Sequence, residues 1–272
     1  MPTKQGKAPY QYFKNDLTIN QDGNTGVDTY TRLIHDGAGQ STSMSVSTKV
    51  FQVQPTKTDT TGAMLVRNQG GSNVLAVDTT NSRVLCGSSQ TNALTQYTHF
   101  SATQMDFAGA GTHYAIPFQS SNSFGATDLL LELGLGSATN PATSFDVSTN
   151  TSDSNINLPC YWYIVDPITI TGVHVIVGGS AASATDNINF HMMKYDFDTS
   201  GGTGDLSSGV VVADQGASGT ISDVHEDAIQ YASLTVDTSN NTIAPRQVVL
   251  CTVESTGTTE ISCTVTVKFN IN

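Results

Sequence analysis

The sequence predicts an all-β protein: an extended N-terminal arm, a short β stem and a C-terminal antiparallel β-sandwich head of jelly-roll type. Three observations predict it. Val, Ile, Leu and Phe alternate with Ser and Thr over stretch after stretch, the period of a half-buried strand. No window carries apolar residues at helical spacing for more than a turn or two. The apolar stretches are separated by clusters rich in Gly, Asn, Ser and Thr, which supply turn chemistry.

Composition narrows the function classes. The 272 residues carry 11 Lys and Arg against 23 Asp and Glu, a net charge of -12. An acidic chain is a poor nucleic-acid binder, because that binding rests on neutralising phosphates. No apolar run reaches the 18 or so residues of a membrane span, and no apolar stretch follows Lys4 and Lys7, so no signal peptide is read. The expectation is therefore synthesis in a reducing cytoplasm, with Cys86, Cys160, Cys251 and Cys263 as free thiols.

Residues 1–45 are polar, Gly-rich and weakly patterned, and read as an arm that orders on a partner. Its anchoring candidates are Lys4, Lys7, Tyr10, Tyr12, Phe13 and Lys14. Charge supports a division of labour. Residues 1–85 hold eight basic and six acidic side chains, whereas the rest of the chain holds three and seventeen. A mildly basic front and an acidic back suit different surroundings.

Residues 46–86 contain short runs at 50–53, 63–67, 74–78 and 83–85, with turns at 68–72 and 79–82. Each hairpin is too small to hide an apolar face alone, so several copies are expected to share one apolar axis. Val53, Leu65, Leu75 and Val77 are the candidate trimer core. The stretch GAMLVRNQGGSNVLAVDTTNSRVL, residues 62–85, resembles the stem units of tailed-bacteriophage tail fibres and related virion fibres. In those, LVRN is followed by a G-S-x-V-L-x-V-D-T-T-N pattern. The frequent GIGT ending is replaced here by Cys86-Gly-Ser-Ser. The resemblance implies an intertwined homotrimer, and a single copy of the motif implies a short projection.

Residues 87–126 read as a polar connector with scattered aromatics, and residues 127–272 as one sandwich. Eight strands are predicted, at 128–135, 160–165, 168–177, 188–197, 209–213, 229–236, 247–253 and 261–271, the number in a jelly roll. The passage NFHMMKYDFDTSGGTGDLSSGVVVAD, with the later LTVDT and VVLCTVES, resembles heads of uncharacterised marine phage structural proteins. Strands 247–253 and 261–271 are predicted to form the last hairpin about Gly257. That register would set Cys251 directly across from Cys263 as packed thiols.

Catalytic signals are weak. The six histidines show no metal-binding spacing, and no GxSxG elbow occurs. His191 reads as a sheet-surface or interface histidine. A polysaccharide-degrading spike would need two carboxylates across a groove, but the acidic residues fall in predicted loops. One cation candidate remains: Asp196, Asp198 and Ser200, with Asp205 as a substitute ligand, open like a calcium loop but lack its closing Glu.

The resulting expectation is a non-enzymatic, cofactor-free structural protein on the virion exterior of a tailed phage, assembled in the host cytoplasm. It would be a homotrimeric capsid decoration or head fibre, held to other virion proteins by its arm. The alternatives are a tail fibre or receptor-binding protein touching host glycan through its head, and a lectin-like or polysaccharide-degrading spike.

Overall fold

The computed structural model describes residues 17–19, 27–36, 40–87, 89, 91–105, 111–119, 134–146, 158–180, 187–198, 204–216, 221–222, 224, 228–257 and 260–272. The chain divides into two compact units, Met1–Ala93 and Leu94–Asn272. Among the described residues no helix is long and apolar enough to cross a membrane.

The first unit contains two small antiparallel sheets. One is β1 (Thr18–Ile19), β2 (Arg32–His35), β3 (Ser41–Val46) and β4 (Phe51–Val53), paired in that order. Residues read as an unpatterned arm thus build three of its strands, and the fourth comes from the segment read as stem. Short polar side chains close its turns. The Ser47 hydroxyl accepts the backbone N–H of Val50 at 2.9 Å between β3 and β4. Ahead of β2, Asp28 accepts the Tyr30 N–H at 2.9 Å and pairs with Arg32 at 2.9 Å. Such local bonds hold strands that have little apolar surface to bury. The anchoring candidates Lys4, Lys7, Tyr10, Tyr12, Phe13 and Lys14 lie outside the described residues.

The other small sheet is a meander of β5 (Met64–Arg67), β6 (Asn73–Asp78), β7 (Arg83–Cys86) and β8 (Thr91–Asn92). Asn68 closes its first turn through its side-chain oxygen, which accepts the Ser72 N–H at 2.9 Å, with Gly71 at φ +84°.

The second unit is a two-sheet sandwich whose eight main strands are β9 (Thr95–Met105), β10 (Tyr114–Ile116), β12 (Ile168–Ser180), β13 (Asn187–Asp198), β14 (Asp205–Asp214), β16 (Ile229–Val236), β18 (Gln247–Ser255) and β19 (Glu260–Ile271). Three two-residue strands decorate it: β11 (Trp162–Tyr163), β15 (Ile221–Ser222) and β17 (Thr242–Ile243). The front sheet runs β16-β12-β19-β9 and the back sheet β10-β18-β13-β14, antiparallel throughout. Numbered along the chain, the orders are 6-3-8-1 and 2-7-4-5. That interleaving is the double Greek key of a jelly roll. Among the described residues the two sheets join through Ala213↔Val236 and Asp214↔Thr235 on one side. On the other they touch through the Phe100↔Phe118 bridge.

The main core lies between the sheets. Phe100, Val173, Val175, Val177, Phe190, Met192, Val253, Val265 and Val267 belong to it, and Trp162 closes one end, stacked on Phe118 at 5.4 Å. A second core lies on the outer face of the back sheet, where Leu135 and Phe145 cover Met193, Tyr195, Val248 and Leu250. The outer face of the front sheet instead carries exposed Ile176, Ile229, Tyr231 and Tyr97.

Two expectations are corrected here. The segment read as a connector contains β9, an eleven-residue strand of the front sheet, together with β10. The last two strands do not form a hairpin: β18 pairs with β13, β10 and β11, and β19 with β12 and β9. Strand β18 lies in the back sheet and β19 in the front sheet, so the two consecutive strands fall on opposite sides of the core. Facing, set by the two-residue period, is as expected, and both cysteines turn inward.

Candidate functional site: an uncovered apolar sheet face

Strand register sorts the side chains of the β5–β8 meander onto two faces. Met64 lies across from Val77 and Val66 from Leu75, while Val77 meets Val84 and Leu75 meets Cys86 on the next strand. Directly opposed residues share a face. Met64, Val66, Leu75, Val77, Val84 and Cys86 therefore form one apolar surface across three strands. Within a single chain it is uncovered: Met64, Val66 and Val84 are 42%, 44% and 37% exposed. The opposite face carries Leu65, Leu85 and the buried Ala76.

Of the four expected core positions, the structure thus brings Leu75 and Val77 together. Leu65 faces the other way, beside Ala76, and Val53 belongs to the first small sheet, across from Met44. Met64, Val66, Val84 and Cys86 escaped the sequence reading. Their signal was the two-residue period carried through three strands at once, which requires the register of both turns.

The second turn is rigid. Asp78 is buried, and its carboxylate accepts the Asn81 N–H at 3.1 Å, the Asn81 amide at 2.8 Å and Arg83 Nε at 3.0 Å. The Asn81 hydrogen bond, aided by Arg83, holds this carboxyl below its ordinary pKa. The D-T-T-N-S-R stretch is therefore a turn lock that fixes β7 against β6, with Ser82 in the left-handed region at φ 51°.

The cation candidates sit differently from the expected tight loop. Asp196 and Asp198 are part of strand β13, and Asp198 lies directly across from Asp205 on β14. Asp196 accepts a hydrogen bond from the Gln247 amide at 2.9 Å. Ser200 lies outside the described residues. Among the described residues no three His, Cys, Asp or Glu side chains converge as metal ligands.

A serine–histidine contact exists on the exposed front sheet. His174 Nδ1 lies 3.0 Å from Ser233 Oγ and 2.9 Å from the Tyr231 hydroxyl, and those two hydroxyls are 2.7 Å apart. Both hydroxyls share one ring nitrogen, Nδ1, whereas a triad sets its serine and its orienting carboxylate on the two different ring nitrogens. His191 does lie on the outer face of its sheet, opposite in direction to Phe190. It is nonetheless buried there, because His113 packs over it edge to face at 4.9 Å.

No family model matches the chain. No curated protein matches it by sequence. By structure it is similar to a chain of the "Structure of infectious bursal disease virus Gx strain", at 10% identity and a TM-score of 0.27, over 64% of this chain and 32% of that one. This chain thus spans about a third of the length of that protein.

Proposed function

We propose that this protein is a non-enzymatic structural component of the outer surface of a tailed-phage particle. It works as a homotrimeric capsid decoration or head fibre. The apolar face of the β5–β8 meander carries this reading. Six adjoining apolar side chains form a three-strand surface on which Met64, Val66, Val84 and Cys86 are exposed in one chain, and such patches mark association sites. Copies meeting on that face give the intertwined stem that the resemblance of residues 62–85 implies. The jelly-roll topology of the second unit supports a structural role by fold analogy alone. The acidic second unit would grip an anionic cell envelope poorly, which favours decoration over receptor binding.

Two measurements test it. Mass photometry is expected to give a species of three times 28.6 kDa; a stable species at 28.6 kDa overturns the stem. Immuno-electron microscopy of particles with antibody to residues 94–272 is expected to label the shell. Label at the tail tip replaces decoration with receptor binding, and particles without label overturn the virion assignment.

A further inference from the structure

Buried titratable groups are costly, and two of them meet at one point of the head. His113 and His191 are both buried, with their rings edge to face. His113 Nε2 donates to the Ala138 carbonyl at 2.7 Å. That bond fixes its tautomer and leaves Nδ1 as a bare lone pair. The Nδ1 atoms of both rings are buried without a partner. A proton arriving at His191 Nδ1 creates a buried cationic N–H with no acceptor.

Glu254 offers a negative charge to the His113 ring, but the groups facing His191 do not relieve this. From β18, Glu254 meets His113 at Nε2, 3.4 Å away, not at Nδ1, and Asn189 of β13 donates to its other oxygen at 3.3 Å. Thr252 of β18 and Asp214 of β14 stand across from His191 in the ladder, and neither bonds its Nδ1. The segment above contributes only the Ala138 carbonyl, which Nε2 already uses.

His113 is also where that segment is fastened. Its N–H donates to the Gly136 carbonyl at 3.0 Å and its carbonyl accepts the Leu135 N–H at 2.7 Å. The segment carries Leu135 and Phe145, which cover the outer face of the back sheet.

We infer that His191, roofed by His113, forms an acid-sensitive latch that holds residues 134–146 over the back sheet at neutral pH and releases them when His191 is protonated. Burial, then His113, pushes the His191 pKa down to about 4, whereas a hydrated imidazole titrates near 6.5. A base whose pKa is lower in the closed state stabilises that state fully above pH 6.5. The stabilisation is lost as pH falls toward 4, and opening rises by up to roughly tenfold per pH unit. Release would bare Met193, Val248 and Leu250 as a new apolar surface.

Hydrogen exchange of the full chain, corrected for intrinsic rates, tests the latch. Between pH 6.5 and 5.0, peptides over 134–146 are expected to exchange roughly 15-fold faster, while β12 and β19 keep their protection. His191→Phe fills the space without titrating and is expected to flatten this dependence. A flat wild-type profile, an unchanged slope in His191→Phe, or parallel loss of protection in β12 and β19 overturns the latch. If His191→Phe does not fold, the His191 ring resonances of the wild-type chain decide: they should stay neutral to about pH 5, and a midpoint near 6.5 refutes the inference.

Discussion

Cys251 and Cys263 interact across the core of the sandwich, one in each sheet. Cys251 lies across from Met192 and Ile116 in the back sheet, and Cys263 from Val177 and Ala102 in the front sheet. Both are buried free thiols. Burial pushes Cys263 up to about 12, and Cys251 rises well above its ordinary value through burial and the neighbouring Cys263. Cys160, bonded weakly to the Ala115 carbonyl, is also pushed up by burial to about 12.

Thiolate is the reactive species, so these three cysteines are expected to resist a thiol-specific disulfide reagent at pH 8 for as long as the chain is folded. All should react within minutes in guanidinium. Fast modification of Cys251 in the native chain would contradict the sandwich core.

Cys86 should behave differently, because it shares the apolar face of the meander with Val84. In the assembled trimer it is expected to be shielded. Val84→Asp places a charge on that face and should weaken assembly about 100-fold or more, the effect of burying an unpaired charge. The variant should run as a monomer by light scattering, expose Cys86 to the reagent, and keep the thermal transition of the second unit.

Gly209 is required by its neighbour. A Cβ there would overlap the Tyr195 ring and come within 2.9 Å of Thr143 Cα. Gly209→Ala is expected to destabilise the sandwich by about 1–3 kcal/mol in urea unfolding, the usual range for overpacking. Tyr195→Phe loses only the bond from its hydroxyl to the Ala142 carbonyl and should cost about 1 kcal/mol.

Asp198 and Asp205 face each other in the ladder, an arrangement of like charges that strains a strand pair. Asp205→Asn is expected to stabilise the second unit by about 0.5 kcal/mol. The same sign is expected with and without millimolar calcium. A reversal in calcium would identify the pair as ligands.

Much of the architecture was legible in the sequence because burial imposes a strict period. Alternation of Ile261, Cys263, Val265, Val267 and Phe269 with polar residues marked β19 almost to the residue, and β16 matched its expected bounds of 229–236. Strand β9 was missed for a physical reason. Its inward residues Thr98, Phe100, Ala102 and Met105 include one polar and one small side chain, and a register shift between Ala102 and Met105 breaks the two-residue period. The partner of Cys251 was misjudged because proximity in sequence favours a hairpin, while this jelly roll sends β18 and β19 to opposite sheets. On the meander, local pattern showed that an apolar surface existed. Which side chains share it depended on turn geometry at Asn68 and Asp78. The histidine pair left no trace, since 78 residues separate His113 from His191 and only the fold unites them.

The adjacency of the first and last strands of the sandwich has a practical corollary. Thr95 lies across from Asn270, and the Ile271 N–H reaches the Leu94 carbonyl at 3.4 Å, so the polypeptide enters and leaves this unit at one place. A tag or cargo appended after Asn272 would emerge beside that entry point. Cargo meant for display at the far side belongs instead at the other end of the same strand pair, where Met105 meets Ile261.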